Sequence, residues 1–227
     1  LADVRFEGSR EYDVYALADA TIANVGTNDR AERVDGDAGA HLLAQKDDPD
    51  RDAGKLVDDE GEPFAPALAL ASGDGFDWAS ALAAGGDAAA ALFGDGERVE
   101  ESSEAVGNVV LAGLVGSGES VSDTVALGFA EDSDTAAALG EAEGALGRGF
   151  DEAADAYAET WRSWLADRDL PDSVAGDPDL AAQYRFALMT LAAVEDKAHD
   201  GAGIASPSVP WGETEYAAED RGYGYNF

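Results

Sequence analysis

Two apolar runs in the middle of the chain decide the fold: Val106-Gly-Asn-Val-Val-Leu-Ala-Gly-Leu-Val115 and Val121-Ser-Asp-Thr-Val-Ala-Leu-Gly-Phe129. Both are short and rich in β-branched and apolar residues, as β-strands are. Similar runs precede them at residues 4–6, 12–24, 41–45, 67–71 and 77–82, with Gly/Asp clusters at 34–39 and 73–75. Several short strands at this spacing predict an antiparallel β-sandwich rather than βαβ units.

From about residue 132 the periodicity becomes helical. Asp132-Ser-Asp134 is suited to cap a helix that runs through Leu146. A second helix follows, because apolar residues recur at steps of three and four: Phe150, Ala154, Tyr157, Trp161, Trp164 and Leu165. Pro171 ends it, and a linker follows at 171–176. Asp177-Pro178, with Asp as N-cap and Pro at the first helical position, begins a last helix with apolar residues on two faces.

The charge of the chain is extreme. Fourteen Lys and Arg stand against 48 Asp and Glu, a net charge of −34. This balance argues against nucleic acid and anionic lipid as partners, and no apolar run approaches the roughly 20 residues of a membrane span. Because molar salt screens such self-repulsion, the composition predicts a protein from a halophile. The absence of cysteine excludes disulfides and thiolate metal sites and leaves the localisation open.

No cofactor and no metal are predicted. Asp48, Asp50 and Asp52 superficially resemble a calcium loop, but Ala53 stands where an EF-hand needs glycine and acidic turns are common in this composition. The two histidines, His41 and His199, are far apart, so zinc or a catalytic triad is not expected. His41 is expected to be a packing residue in a strand.

The loop at residues 206–225 is the candidate substrate site. Its prolines stiffen the backbone, its glycines allow close approach, and Trp211 and Tyr225 offer flat faces for sugar rings. The alternative from spacing alone is a surface loop whose aromatics pack inward. Glu213 and Glu215 lie in the same loop, but among 48 acidic residues their presence carries little weight.

The segments Glu195-Asp-Lys197, Gly201-Ala-Gly-Ile-Ala-Ser-Pro-Ser-Val-Pro-Trp-Gly212 and Gly222-Tyr-Gly-Tyr-Asn-Phe227 resemble the opening of the catalytic domain of glycoside hydrolase family 15. That family contains prokaryotic and archaeal glucoamylases and glucodextranases. A looser resemblance covers residues 1–170, through Gly107-Asn-Val109, Leu127-Gly-Phe129 and Trp161-Arg-Ser-Trp164. In the family, an aromatic run of the type Y-x-x-x-W-x-R-D follows the loop, and here Tyr225 matches its first residue.

The resemblance implies an α+β fold: part of a β-supersandwich at residues 1–131, linker helices at 132–176, and the first helix and substrate loop of an (α/α)6 barrel at 177–227. It implies inverting hydrolysis of α-1,4-glucosidic bonds in starch-type oligosaccharides, releasing glucose. Tyr225 would lie at the floor of the terminal-sugar pocket, with Trp211 as a second substrate-binding residue. The catalytic glutamates would follow Phe227, so the chain is expected to be an inactive piece of a longer enzyme that lacks the rest of its barrel. The alternatives are a glucodextranase or trehalase-like member, or a non-catalytic β-sandwich module that binds carbohydrate or is purely structural.

Overall fold

The computed structural model describes residues 1–22, 28–36, 39–47, 65–195 and 201. Seven strands lie in this part of the chain: β1 Ala2–Ala20, β2 Asp29–Asp35, β3 Ala40–Lys46, β4 Ala67–Ser72, β5 Ala79–Ala83, β6 Glu104–Gly107 and β7 Val109–Ala130. The helices are α1 Asp87–Ala90, which continues as a π-helical turn Ala91–Asp95, then α2 Thr135–Arg148, α3 Phe150–Ala166, α4 Asp172–Ala175 and α5 Pro178–Ala193. The predicted α+β class, antiparallel strands followed by helices, is confirmed. Two compact units result, Leu1–Phe150 and the described residues from Asp151 onward.

The strand β7 organises the first unit. All strands pair antiparallel in the order β1-β7-β4-β3-β2-β6, and β5 also pairs with β7. Along one edge β7 pairs with β1, while its other edge pairs first with β5 and then with β4. The sheet curls until β5 approaches the segment before β6, where the Ala81 amide donates to the Ser102 carbonyl (3.0 Å). A single curled sheet therefore supplies both walls of the core.

The main core lies inside this curl. Its largest members include Leu42, Leu70, Phe76 and Leu111, each no more than 3% exposed. The first part of β7 is buried on its other face as well, where Val110 and Leu114 pack with Trp78 under α1 and the turn that follows it. Burial on both faces explains why this part of β7 is a nearly continuous apolar run rather than an alternating one.

Helix α2 covers the outer face of β3, β4 and the end of β7. Asp134 caps the helix, because its carboxylate accepts a hydrogen bond from the Ala137 amide (2.8 Å). The contact is made almost entirely of small residues, so helix and sheet approach closely. A Cβ on Gly128 would lie only 2.0 Å from the Ala138 carbonyl oxygen. The alanine-rich sequence therefore serves this close packing, with the following side chains buried in the contact: Leu43, Ala67, Ala69, Ala71, Ala126, Ala138 and Ala142.

A buried ion pair joins β2 to β3. Asp29 and Lys46 lie opposite each other in the strand register, and the Lys46 Nζ is 2.6 Å from the Asp29 Oδ1. Both side chains are 0% exposed. The other carboxylate oxygen of Asp29 accepts from the Ile22 amide at 3.4 Å. One of only three lysines in the chain is thus used in the interior.

The second unit is helical. Asp177 caps α5 by accepting from the Asp179 and Leu180 amides, and Pro178 is its first residue, as predicted. Phe186 and Leu191 on this helix are 72% and 68% exposed. No helix within the described residues is both long and apolar enough to cross a membrane.

The strand boundaries differ from the prediction in three places. The run at 4–6 and the run that begins at residue 12 belong to one long strand, β1, which ends at Ala20. The runs at 106–115 and 121–129 are divided differently, between β6 and β7. The strand β2 was not predicted, because its charged sequence Asp29-Arg-Ala-Glu-Arg-Val-Asp35 shows little apolar alternation. His41 lies in β3 and is 6% exposed, in agreement with its predicted packing role.

Candidate functional site

The residues predicted to bind substrate, Trp211 and Tyr225, lie outside the described residues, as do Asp48, Asp50, Asp52 and His199. These predictions therefore remain predictions. At the end of the described part of the chain, the Glu195 carboxylate accepts a hydrogen bond from the Gly201 amide (2.7 Å). Among the described residues, no group of three or more His, Asp or Glu side chains is arranged to hold a metal ion.

A polar site of the first unit lies where the β1–β7 ribbon is irregular. Glu7 pairs with Ser120 but Tyr12 pairs with Gly118, so the four residues 8–11 of β1 stand against the single residue Glu119. A second irregularity follows, because Val14 pairs with Gly116 and Tyr15 with Leu114. Bulges of this kind redirect side chains and are common next to functional sites. Here they turn neighbouring side chains of β1 toward one surface cleft.

The first wall of the cleft is built around Tyr12. Its ring packs edge-on against Phe6, with centroids 5.2 Å apart. The Arg10 Nε donates to the Tyr12 hydroxyl at 2.7 Å, and the guanidinium carbon lies 4.9 Å from the ring centroid. Tyr12 remains 38% exposed. The ring and the guanidinium are therefore held together at the surface without being covered.

The second wall is a hydrogen-bonded network centred on Asp13. Its carboxylate accepts from the Ser117 hydroxyl, from the Arg98 guanidinium at 2.6 Å and from the Tyr15 hydroxyl at 3.2 Å. The hydrogen bond from Ser117, followed by that from Arg98, holds the pKa of Asp13 below its ordinary value. The hydrogen bonds to Tyr15 and Asp13 raise the pKa of Arg98. Tyr15 is braced in turn by an edge-on contact with Trp78, with centroids 5.7 Å apart.

These two walls border an open cleft of about 800 Å³, a volume usual for small-molecule sites. Its charged side chains are of both signs. Because Asp13 is ionised, it is suited to accept hydrogen bonds and unsuited to act as a general acid, which needs a raised pKa. The following residues line the cleft: Arg10, Glu11, Tyr12, Asp13, Tyr15, Leu92, Gly96, Ser117 and Gly118.

Sequence reasoning missed this cleft. The alternating order Tyr12-Asp-Val-Tyr15 indicates a strand but not a site, since Arg98 and Ser117 are distant in sequence and the bulges have no sequence signature here. The one available signal was Arg10 beside Tyr12, a cation next to an aromatic residue in a chain with few cations.

A separate apolar groove of about 340 Å³ lies nearer the end of β7. Leu1, Leu17 and Leu127 line it and are between 39% and 51% exposed. None of its described lining residues has a charged side chain, so the groove offers contact area rather than chemistry.

Comparison with known proteins relates this chain to a described family and to a solved structure. A family model described as glucodextranase, domain N, matches residues 1–166. Among solved structures, the chain is similar to the crystal structure of a bacterial glucoamylase complexed with acarbose, with a TM-score of 0.64 and 20% sequence identity. The match covers 86% of this chain and 25% of that one, so the chain spans about a quarter of that glucoamylase and shares the fold of the matched part. Comparison with functionally curated proteins gives no match. Since the family model covers well over half of the sequence, the chain belongs to the family of glucodextranase domain N.

Proposed function

We propose that the chain is the N-terminal part of a glucoamylase-type enzyme that hydrolyses α-glucosidic bonds and releases glucose. The observation that carries the proposal is the family match across residues 1–166. It is supported by the fold shared with a bacterial glucoamylase complexed with acarbose, and by the loop Gly201–Gly212, which resembles the opening of a family 15 catalytic domain.

In this proposal, residues 1–131 form the β domain, 132–176 connect, and 177–227 begin the helical catalytic barrel. Trp211 and Tyr225 contribute aromatic faces to the sugar site. Inverting hydrolysis needs a carboxylic acid to protonate the leaving oxygen and a carboxylate about 6.5–9.5 Å away to activate water. Both groups are assigned to sequence beyond residue 227, and no residue of this chain is assigned as catalytic.

The test is glucose release from maltooligosaccharides by the longest product of the gene, beside the 227-residue chain alone, both in molar KCl. The longer protein is expected to release glucose and the chain alone to release none. Turnover of maltose by the pure 227-residue chain would contradict the placement of the acid and base.

A second candidate within the family is hydrolysis of α-1,6 bonds, favoured by the name of the matching family model, glucodextranase. Comparing maltotriose with isomaltotriose as substrates of the longer protein separates the two. Faster release of glucose from isomaltotriose favours the glucodextranase.

We also propose that the protein works in high salt. The net charge of −34 supports this, because salt screens repulsion between surface charges. Thermal unfolding measured against KCl concentration tests it. A melting temperature that does not rise with salt would contradict the proposal.

A further inference from the structure

We infer that the cleft between the β1 bulges and Ser117 is a binding site for a neutral oligosaccharide, built from residues other than those of the proposed substrate loop. For convenience we call it the β1 cleft, defined by Arg10, Tyr12, Asp13, Tyr15 and Ser117. The choice of an α-glucan as the ligand rests on the proposed function. The site itself rests on the geometry of the first unit.

The β1 cleft combines a flat aromatic side chain with polar groups. Sugar rings present apolar faces and a rim of hydroxyl groups that both donate and accept hydrogen bonds. Tyr12, 38% exposed and braced by Phe6, offers the part of its ring that the Arg10 guanidinium leaves uncovered. Asp13 and Arg98, whose side chains are 39% and 40% exposed, offer an ionised acceptor and an ionised donor beside it.

The β1 cleft has charged side chains of both signs. The chain as a whole carries −34, yet Arg10 and Glu11 line the β1 cleft together, and the lining residue Asp13 is paired with Arg98 just outside it. Because Arg98 offsets the charge of Asp13, neither sign of charge dominates among these four side chains. A neutral ligand with many hydroxyl groups fits such a surface better than a phosphate or a metal ion.

The polar side chains of the β1 cleft are preorganised by hydrogen bonds. Ser117, Arg98 and Tyr15 already hold the Asp13 carboxylate, and the Arg10 Nε is fixed on the Tyr12 hydroxyl. Binding a ligand therefore orders few additional rotamers, which lowers the entropic cost of association. The cleft volume of about 800 Å³ leaves room for more than one ring of a chain.

The experiment is calorimetric titration of the 227-residue chain with maltoheptaose in molar KCl. We expect a Kd of about 1 mM or tighter. Tyr12→Ala and Arg10→Ala should each weaken binding at least about tenfold. Arg10 is exposed, so its variant keeps the test valid if removal of the Tyr12 ring disturbs folding. Tyr157→Ala, which removes a tyrosine 67% exposed in the second unit, is the matched control and should bind as the wild type does.

A double variant, Trp211→Ala with Tyr225→Ala, separates the β1 cleft from the proposed substrate loop. Retained binding in this variant supports the β1 cleft. Binding that disappears here but survives Tyr12→Ala overturns it. Equal, Tyr12-dependent binding of cellohexaose, a β-linked glucan, supports the site and overturns the choice of an α-glucan as its ligand. If the chain binds no maltoheptaose while the longer protein releases glucose, the β1 cleft assignment fails and the proposed function stands. If the longer protein is inactive while Tyr12-dependent binding persists, the β1 cleft assignment is supported on its own.

Discussion

Replacing Lys46 by methionine probes the buried ion pair of the sheet. The substitution keeps an unbranched side chain of similar length but leaves the Asp29 carboxylate buried without its cation, since both side chains are 0% exposed and 2.6 Å apart. Removing one partner of a buried pair costs about 3–5 kcal/mol, because the remaining charge keeps its desolvation penalty. For a unit of this size each kcal/mol lowers the melting temperature by about 2–4 °C. The expected decrease is therefore about 6–20 °C.

The change in the free energy of unfolding is measured by urea unfolding followed by circular dichroism at constant molar KCl, and the melting temperature by heating the same variants in the same buffer. Urea is uncharged, so it leaves the screening of the acidic surface unchanged. A lower midpoint with an unchanged slope reports a change in stability rather than in the surface exposed on unfolding.

Two further variants make the result specific to the buried pair. The double variant Asp29→Asn with Lys46→Met removes both charges and should recover at least half of the loss. Arg5→Met breaks the surface pair with Asp3, in which the Arg5 side chain is 72% exposed, and should cost at most about 1 kcal/mol. If Lys46→Met costs no more than Arg5→Met, the reasoning about burial is wrong.

Three other measurements test the packing and the electrostatics. Gly128→Ala should lower the free energy of unfolding by about 1–3 kcal/mol, because its Cβ would meet the Ala138 carbonyl oxygen at 2.0 Å. Gly140→Ala, which has nothing within 4 Å of its Cβ, should raise the free energy of unfolding by up to about 1 kcal/mol. Equal effects of the two substitutions would contradict the close approach of helix and sheet. Raising KCl from about 0.1 M to about 1 M shortens the Debye length from about 10 Å to about 3 Å, so the melting temperature of the wild type should rise. An unchanged melting temperature would show that repulsion between acidic side chains does not limit the stability. Because the pKa of Asp13 is lowered in the folded state, the stabilisation it provides is present above about pH 4 and is lost as the pH falls through the folded pKa. In Asp13→Asn, the free energy of unfolding should therefore depend less on pH in that acid range. An unchanged pH profile would show that the network contributes nothing to stability.

Much of the fold was predictable because its signals are local. Hydrophobic periodicity marked most of the strands, and the caps at Asp134 and Asp177-Pro178 marked two helix starts, because capping depends on residues within one turn. The strand β2 was missed because its stability comes from cross-strand partners. Arg30, for example, contacts Glu32 on its own strand and also Asp47 and Glu104, which lie on either side of it.

The sequence alone was enough to predict the α+β class and a relationship to glycoside hydrolases, and it sets the net charge of −34. These depend on composition, period and a contiguous motif. Only the tertiary structure decided that Lys46 lies opposite Asp29 and that Gly128 faces α2. It alone brought Asp13, Arg98 and Ser117 together, since a cleft made by two bulges and a curled sheet depends on register. Register is set by pairing between distant segments, and it leaves no mark in any one of them.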